Sequence, residues 1–425
     1  MPDVAFYSLG CKLNQYEVQA LREGFLGHGY REVPFEGPAD YYVVNSCTVT
    51  ADADRTTLAL VRSAHRANPG AQIVVTGCLA TADAAQLRDL PGVTHVVDNR
   101  RKNSILYRIT GLPETAEEES PFFEAGISYF EDKTRAFVKV QDGCDYFCSF
   151  CKIPYVRGRL ASRDPRRILE ELDRLDAHGY REIVLSGVCL GSYGRDLGDG
   201  WSLARLIQEA LSRPGSYRIR LSSIDPRDTP LELARIMAET PRLCPHLHLS
   251  LQSGDDDTLR RMRRGYTTSD YARLVEGLRR GVPDIGLSTD IIVGFPGEDD
   301  EAHRRSEAFV AGVGFHRVHV FPYSERERTA AARMENAQPA EVIQDRLARM
   351  DRAARASAAA AVETWIGRTV TVLVESRSLR AGCAEGFSEH YARCVLESAE
   401  EGLRGSLVRM KVDARDGLRL RGRSV

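Results

Sequence analysis

Three cysteines of the sequence, Cys144, Cys148 and Cys151, are spaced for metal binding and directly follow a predicted strand. Three thiolates at these spacings can reach three corners of one iron–sulfur cluster, but they cannot complete four-cysteine ligation. A zinc site would usually recruit a fourth Cys or His nearby, and none lies in the next twenty-five residues. An open metal position at the C-terminal end of a barrel strand is typical of a catalytic site. The alternative is a small structural zinc site or a set of core cysteines.

Three more cysteines, Cys11, Cys47 and Cys78, are widely separated but occupy equivalent positions. Each follows one of the first three predicted strands. The C-terminal ends of parallel strands lie along one edge of an open sheet, and ligands bind at that edge, so we expect these cysteines to converge. One such cysteine alone would more often be a core thiol. Three of them in successive units predict a second three-thiolate cluster, so all six cysteines are predicted catalytic residues.

Other chemically capable residues show weaker patterns. His246 and His248 alternate on one face of a predicted strand, which predicts packing positions inside a barrel. Cys189 follows a barrel strand on the predicted active face, but its pattern indicates no role. The remaining cysteines are predicted to be core residues: Cys244, Cys383 and Cys394.

The composition is that of an ordinary globular enzyme. The length of 425 residues suggests about three domains. The sequence starts without a signal-peptide pattern, and no apolar run approaches the roughly 20 residues that span a bilayer. A cytoplasmic protein without membrane association or disulfides is therefore expected. The net charge of −2 does not indicate nucleic-acid binding. The sequence has 52 Arg and 6 Lys, and genome composition bias is enough to explain this ratio.

Alternating apolar runs and helical patterns predict an α/β protein. Residues 1–113 should form an open parallel sheet, with helical patterns near Tyr16–Leu26, Arg55–Arg66 and Ala82–Leu90. Residues 114–132 are acidic, carry one proline and directly follow another, which is typical of a linker. Residues 133–338 hold six strand–helix units, including a helical stretch at Pro165–Ala177. Six units are fewer than the eight of a full barrel, so a partial (βα)6 barrel is expected.

The end of the chain has a different character. Residues 339–365 are Ala/Arg-rich and predict a long bridging helix. Residues 366–425 show short alternating runs separated by Gly-containing turns, which predicts a small all-β barrel. From Gly367 onward, 11 Lys and Arg residues against 8 Asp and Glu residues give a net charge of +3.

Five segments, including both cysteine groups, carry a family pattern. They are LGCKLNQYE (9–17), NSCTVT (45–50), VQDGCDYFCSFCKIPYVRGR (140–159), HLSLQSGDDDTLRRMRRGYT (248–267) and TDIIVGFPGE (289–298). Together they resemble the methylthiotransferase family of radical S-adenosylmethionine (SAM) enzymes over nearly the whole chain. LGCKxNQYE and the CTVT after the second strand resemble the MtaB-type branch. That resemblance implies addition of a methylthio group to threonylcarbamoyladenosine at position 37 of tRNA, beside the anticodon.

The resemblance also implies the cofactors and their use. One SAM at the cluster of Cys144, Cys148 and Cys151 would be cleaved reductively to a 5′-deoxyadenosyl radical, which removes hydrogen from the target carbon. The cluster at the N-terminal cysteines would supply sulfur, and a second SAM the methyl group. Two [4Fe-4S] clusters and SAM, as radical source and methyl donor, are thus expected. The residues expected to hold SAM are Phe150, Gly187, Ser222, Ser223 and Gly294.

The implied partners are the anticodon loop of tRNA, an electron donor such as flavodoxin or ferredoxin, and an unidentified sulfur source. The C-terminal segment resembles a shortened TRAM domain, and small β-barrels commonly bind RNA. A packing cap with incidental basicity is the alternative. The expected RNA contacts are Arg409, Arg419, Arg421 and Arg423.

One position departs from the family pattern. Arg328 stands before Thr329 where the family has Gly. Gly commonly serves a positive-φ turn, so we expect this loop to differ in shape or to make an extra phosphate contact.

Four other functions compete with this interpretation. The MiaB-type branch acts on isopentenyladenosine in tRNA, and the RimO-type branch acts on a ribosomal protein. A cobalamin-dependent radical SAM methyltransferase also has an N-terminal α/β sheet, but its D-x-H-x-x-G motif is missing before residue 120. A non-catalytic iron–sulfur RNA-binding protein is the fourth, and the open CxxxCxxC motif argues against it.

Overall fold

The structure, a computed structural model, describes residues 1–111, 120–377, 382–397 and 402–425. These residues form an N-terminal open parallel sheet, a central curved sheet with outer helices, and a C-terminal closed β-barrel. The predicted α/β class is therefore confirmed. The five segment boundaries stay predictions, and residues 114–119 of the predicted linker lie outside the described residues.

The N-terminal sheet is parallel throughout, with strand order β2-β1-β3-β4-β5. Its strands are β1 (Asp3–Ser8), β2 (Arg31–Glu32), β3 (Tyr41–Ser46), β4 (Gln72–Gly77) and β5 (Val93–Val97). Its helices are α1 (Lys12–Gly27), α2 (Ala51–Ala67), α3 (Cys78–Ala82), α4 (Ala84–Arg88) and α5 (Ile105–Thr110). Tyr42 and Val44 enter one apolar core, whereas Val43 between them enters another. Both faces are thus covered, which explains the continuous apolar runs of these strands.

The central sheet is an open, partial barrel. Strands β6, β9 and β10 pair in parallel, as do β11, β12, β13 and β14, and a bridge between Ile219 and Leu243 joins the two groups. The strands are β6 (Ala136–Lys139), β7 (Gln141–Asp142), β8 (Ala161–Ser162), β9 (Glu182–Ser186), β10 (Arg218–Leu221), β11 (Ser223–Ile224), β12 (His246–Leu249), β13 (Gly286–Val293) and β14 (Arg317–Pro322). The helices are α6 (Ile153–Arg157), α7 (Pro165–Ala177), α8 (Leu203–Ser212), α9 (Glu232–Glu239), α10 (Asp256–Arg261), α11 (Thr268–Gly281) and α12 (Asp300–Val313).

A long helix, α13 (Ala340–Glu363), connects the partial barrel to the C-terminal barrel. That barrel closes in the order β15-β16-β17-β19-β18. Its strands are β15 (Thr369–Arg377), β16 (Cys383–Ser388), β17 (Arg393–Glu397), β18 (Leu407–Asp416) and β19 (Arg419–Ser424). Short 3-10 segments lie at Lys102–Ser104, Leu190–Ser192, Pro226–Asp228 and Ala331–Arg333.

The N-terminal part packs directly against the partial barrel. Tyr16 and Ala20 of α1 belong to the same apolar core as the barrel strands. The segment after residue 120 lies in this interface, where the backbone N–H of Ile127 donates to Glu171 at 2.8 Å. The Lys139 ammonium lies 5.3 Å from the centre of the Phe122 ring. The relative position of the two parts is therefore fixed by buried contacts.

The C-terminal barrel is docked through buried arginines of β10. Arg220 donates to the carbonyl oxygens of Ser388 and Glu389, both at 3.0 Å, and Arg218 donates to that of Thr371 at 2.8 Å. Both guanidinium groups pair with Glu182 of β9 at 2.7 Å. Burial alone would raise the pKa of Glu182, but these two cations outweigh it and hold that pKa below its usual range. The loop after β16, residues 389–392, is thereby held against the partial barrel.

Arg328 keeps the backbone conformation that the family glycine would adopt. Its φ is +65°, in the left-handed region that favours glycine. The loop therefore need not change its shape to hold an arginine at this position. The left-handed backbone conformation costs this residue about 1 kcal/mol. The side chain is exposed and lines a cavity of about 560 Å³ beside Lys152 and Arg326.

No helix in the described ranges is long and apolar enough to cross a membrane.

Candidate functional site

The N-terminal cysteines lie at one edge of the parallel sheet, as their spacing predicts. Cys11 is the N-cap of α1, Cys47 directly follows β3, and Cys78 is the first residue of α3 after β4. The loops approach closely, because a Cβ built on Gly10 would lie 2.8 Å from Cys47 Sγ. Gly10 has a φ of +89°, so a side chain there would be strained as well as crowded. The glycine thus lets the first two cysteine loops meet.

The polar surroundings of this triplet hold the loops in place. Asn14 donates to the carbonyl oxygens of Leu9 at 2.6 Å and Ser46 at 3.0 Å, which ties the ends of β1 and β3 together. The Asn99 amide lies 3.7 Å from Cys78 Sγ and donates to the carbonyl oxygen of Val156 at 2.8 Å. These bonds connect the sheet edge to helix α6 of the partial barrel.

A buried charge network lies next to the N-terminal triplet. Glu17 accepts from Lys139 at 2.7 Å and Arg157 at 3.1 Å and also pairs with Lys102. Asp142 accepts from Arg157 at 2.9 Å and Lys139 at 2.5 Å. Three cations against two carboxylates leave a net charge of +1, and all five side chains are at most 3% exposed. This excess positive charge favours thiolates nearby.

Burial opposes ionisation of these thiols in the absence of a metal. It raises the pKa of Cys47 to about 11 and also raises the pKa of Cys78, and the positive charge of Arg157 lowers both only in part. Metal ligation requires the thiolate, so a bound metal would have to supply the remaining compensation. Two buried thiols, the exposed Cys11 and a nearby buried cation suit a metal group that carries several positive irons.

The second triplet lies in the loop after β7. The Cys144 N–H donates to the carbonyl oxygen of Gly158 at 3.1 Å, and a Cβ on Gly143 would lie 1.8 Å from the carbonyl oxygen of Arg159. Cys148 Sγ accepts from Arg264 at 3.3 Å. Burial raises the pKa of Cys151 to about 12, whereas a hydrogen bond from Cys189 lowers the pKa of Cys144. Cys189 therefore contacts the site that its sequence position left unassigned.

The sulfur spacing fits an iron–sulfur cluster better than zinc. Tetrahedral zinc with bonds of 2.3 Å would hold its sulfurs about 3.8 Å apart. Among the described residues, the single trio of His, Cys, Asp or Glu side chains whose ligand atoms all lie within 4.8 Å of one another is His248, Asp290 and His319. Both cysteine triplets are therefore wider than a zinc site needs. Three soft thiolates in each triplet fit a larger iron–sulfur group with one open corner, and Cys189, which hydrogen-bonds Cys144, lies beside the second triplet.

One cavity joins the two triplets. It has a volume of about 310 Å³ and is lined by Cys78 of the first triplet and Cys151 of the second. Its other walls include Phe150, Asp290 and Phe321. A substrate in this cavity would lie between one cysteine of each triplet.

The residues expected to hold SAM are spread around this region. Phe150 lines the cavity, and its ring lies 6.4 Å from that of Phe295. Ser222 is buried, and its hydroxyl has no hydrogen-bond partner among the described residues. Ser223 is exposed on β11. The SAM contacts of these residues therefore stay a prediction.

The two glycines of that set approach other side chains closely. A Cβ on Gly187 would lie 2.8 Å from Gln141 Oε1. A Cβ on Gly294, whose φ is +77°, would lie 2.5 Å from Ile343 of α13. Gly294 thus permits close packing of the bridging helix, whatever further role it has.

A histidine–aspartate group beside the cavity was not recognised in the sequence. His248 Nε2 lies 3.1 Å from Asp290, and its ring lies 6.0 Å from that of His319. Burial alone would raise the pKa of Asp290, but the hydrogen bond and charge of His248 and the charge of His319 lower it, with a smaller contribution from Lys12. His246, by contrast, is buried and bonds Ser288 at 3.0 Å, as a packing residue would. The TDIIVGFPGE segment was the available signal for Asp290.

The arginines expected to contact RNA lie on the last two strands of the C-terminal barrel. Three of them pair with acidic residues of the same barrel: Arg419 with Glu385 at 3.4 Å, Arg421 with Glu397, and Arg423 with Asp413 at 3.0 Å. Arg409 is exposed, and its guanidinium has no partner in the described part of the chain. The positive charge available to an RNA is therefore smaller than the sequence suggests.

Two family models match this chain. Residues 138–310 match the Radical SAM superfamily, and residues 3–98 match a family described as Uncharacterized protein family UPF0004. These ranges contain the second and the first cysteine triplet, respectively.

Curated relatives extend the similarity to nearly the full chain. The Threonylcarbamoyladenosine tRNA methylthiotransferase MtaB of Thermotoga maritima is 39% identical, over 92% of this chain and 91% of its own. A tRNA-2-methylthio-N(6)-dimethylallyladenosine synthase of Jannaschia sp. is 34% identical, over 98% of this chain and 92% of its own.

A solved structure shares the fold. The radical SAM methyltransferase TsrM from Kitasatospora setae, with tryptophan and a SAM analogue, superposes with a TM-score of 0.57 over 75% of this chain and 73% of its own. At 15% identity the likeness concerns the fold alone.

Proposed function

We propose a division of roles within the site from the premise that this chain belongs to the MtaB family of radical SAM tRNA methylthiotransferases. It is an enzyme that adds a methylthio group to threonylcarbamoyladenosine in tRNA. The observation that carries the proposal is the joint cavity, because Cys78 of one triplet and Cys151 of the other line it. Adding sulfur to an unactivated carbon needs an activating group and a sulfur donor at one place.

The cofactors are [4Fe-4S] clusters and SAM, and when bound they supply the radical, the sulfur and the methyl group. We propose that Cys11, Cys47 and Cys78 hold one cluster. Cys144, Cys148 and Cys151 would hold the other, where SAM takes the open position. Phe150 would lie against SAM and help to exclude water from the cavity. The net positive charge of the buried network would stabilise the negative charge of the three N-terminal thiolates.

We propose that the threonylcarbamoyl group is recognised by charge. This group carries a carboxylate, which the dimethylallyl group lacks. Lys152 lines the central cavity, as does Asp290, on which the charge of Lys12 also acts. An ammonium group in a partly buried site favours an anionic substituent over an apolar one.

The reaction also needs an accessible substrate nucleoside and an electron donor. A nucleoside beside the anticodon projects from a loop, so it can enter a cavity that a base inside a duplex could not reach. We propose that the anticodon loop is the substrate region, that a flavodoxin- or ferredoxin-type protein is the electron donor, and that the enzyme works in the cytoplasm with tRNA.

Deleting the gene should abolish 2-methylthio-threonylcarbamoyladenosine in tRNA and leave the methylthio form of isopentenyladenosine unchanged. The measurement is nucleoside mass spectrometry of total tRNA, with the deletion strain complemented by the wild-type gene as control. Loss of the second nucleoside instead of the first would favour the MiaB-type alternative. No change in either nucleoside would point to a protein substrate.

Replacing Arg409, Arg421 and Arg423 together with Gln should weaken tRNA binding and flatten its salt dependence. Each phosphate contact contributes about 0.9 to the logarithmic slope on a duplex, so the slope should fall by up to about 2.7. Substitution is a cleaner test than truncation, because removing the barrel would also strip acceptors from Arg218 and Arg220. The matched control is Arg352→Gln, an exposed arginine on α13. An unchanged slope with intact clusters would identify the barrel as a packing cap.

A further inference from the structure

We propose that an acidic one-electron carrier protein docks in a basic groove that is lined by Cys144. This groove is called the Cys144 groove below. The proposal rests on the proposed function, because it assigns an entry point to the electron that the radical chemistry consumes. Apart from Cys144, the groove contains none of the residues assigned to the clusters or to SAM.

The Cys144 groove lies between the N-terminal sheet and the loop that carries the second triplet. Its volume is about 740 Å³, and its walls come from α3, α4, the end of β5 and the region around α6. The central cavity contains Cys151 in its wall, whereas this groove contains Cys144. The same metal site therefore has two accessible sides lined by different ligands.

The groove is strongly basic although the whole chain has a net charge of −2. Four arginines and one aspartate line it, which gives 4 − 1, or a net charge of +3. All four arginines are exposed. They are Arg88, Arg100, Arg101 and Arg159.

Little in the described residues neutralises the charges of Arg88, Arg100 and Arg159. Asp98 accepts from the backbone N–H groups of Arg100 at 2.8 Å and Arg101 at 3.2 Å, so it serves the turn. Arg159 contacts Asp145 at 3.5 Å, but their side chains are 78% and 48% exposed, and a pair of this kind contributes little. The charges of Arg88, Arg100 and Arg159 therefore remain available to a partner.

Two exposed aromatic side chains lie in the same groove. Phe147 is 44% exposed and Tyr155 is 57% exposed, and their rings meet edge to face at 5.7 Å. Large aromatic side chains combined with arginine are the residues most enriched at the centre of protein–protein interfaces. Phe147 also lies within the CxxxCxxC motif, three residues after Cys144.

An electron carrier fits this surface better than RNA does. The target base must enter the central cavity, because that cavity touches both triplets. The electron needs only to reach the metal group at Cys144, so a carrier in the groove can act while tRNA occupies the cavity. One electron leaves the reduced carrier and one electron enters the cluster, and no bond or proton on this chain changes. Charge complementarity requires the carrier's docking face to be acidic.

The test uses reconstituted full-length protein and an acidic flavodoxin. The variant Arg88→Glu with Arg159→Glu changes the groove charge from +3 to −1 at two exposed positions. Binding of oxidised flavodoxin, measured by calorimetry at low ionic strength, should weaken at least about tenfold. The difference should shrink as added salt screens the charges. Reduction of the variant by methyl viologen radical, a small cation, should not slow.

Arg352→Glu on α13 is the matched control and should bind flavodoxin like the wild type, because α13 contributes no residue to the groove. The proposal is overturned if wild-type protein binds no flavodoxin, or if the double variant binds it as tightly as wild type. It is also overturned if the double variant loses tRNA affinity but keeps flavodoxin affinity, because the groove would then serve RNA. Flavodoxin binding is measured without tRNA, so its failure is distinct from a failure of the nucleoside assignment.

Discussion

Replacing Cys144, Cys148 and Cys151 together with Ala should remove all methylthiolated product and about half of the iron. Two four-iron clusters would give roughly eight irons per chain in anaerobically reconstituted wild-type protein, and the variant should keep about four. The reason is structural: the remaining triplet belongs to a different sheet and keeps its own supporting bonds, such as those of Asn14. Iron analysis and tRNA nucleoside analysis measure the two effects.

The reciprocal variant sharpens this test. Replacing Cys11, Cys47 and Cys78 with Ala should also leave about four irons, but reductive SAM cleavage should survive because it belongs to the other triplet. Cys244→Ala is the control, since this buried cysteine lies outside both triplets. Complete iron loss in either triple variant, or a wild type that never exceeds about four irons, would contradict the two-site assignment.

Replacing Glu17 with Gln should destabilise the apoprotein by about 3–5 kcal/mol. Glu17 is the shared partner of Lys102, Lys139 and Arg157, and its side chain is 2% exposed. Without its charge, three buried cations would face Asp142 alone. The measurement is urea unfolding at neutral pH. Glu36→Gln, which removes an exposed carboxylate from the same domain, should change stability by less than about 0.5 kcal/mol.

The effect of Glu17 should depend on pH. Burial opposes its charge, but Arg157, Lys102 and Lys139 hold its pKa well below 4.5 in the folded chain. A carboxyl group with a lowered folded pKa stabilises the fold above its unfolded pKa, and this stabilisation is lost as pH falls through the folded value. The difference between wild type and Glu17→Gln should therefore be constant near neutral pH and shrink in acid. The double variant Glu17→Gln with Lys102→Met restores the net charge of +1 and should lose less stability than the single variant. A loss in the double variant equal to the sum of the losses in Glu17→Gln and Lys102→Met would show that the pair is not coupled.

The regular elements were predictable where the local sequence and the tertiary environment agree. Helix α7 spans the predicted residues because Asp164 caps it, accepting from the Arg166 N–H at 2.7 Å, and Pro165 occupies its first turn. The predicted helix at 82–90 is instead divided between α3 and α4, because Asp83 caps a new helix by accepting from Gln86. Strand β2 was missed because its two residues are polar and carry no apolar run.

The candidate site was predictable in its cysteines but not in its supporting charges. Strand ends identify where cysteines meet, since the parallel topology places them on one edge. The Glu17 network has no comparable signal, because Glu17 and Arg157 are 140 residues apart and isolated charges show no periodicity. The pairing of barrel arginines with Glu397 and Asp413 was equally hidden, since it depends on the register of β17, β18 and β19.

The docking of residues 389–392 has a consequence for how the protein is made. Arg218 and Arg220 find carbonyl acceptors 153 to 169 residues later in the chain. A ribosome finishes the central sheet well before it delivers those acceptors, so in the nascent sheet both arginines can pair with Glu182 but their carbonyl acceptors do not yet exist. Domains usually fold in order during synthesis, N-terminal first. Here the central domain can complete its packing only after β15, β16 and the loop that follows them emerge, and until then Arg218 and Arg220 are exposed to chaperones and to incorrect pairing.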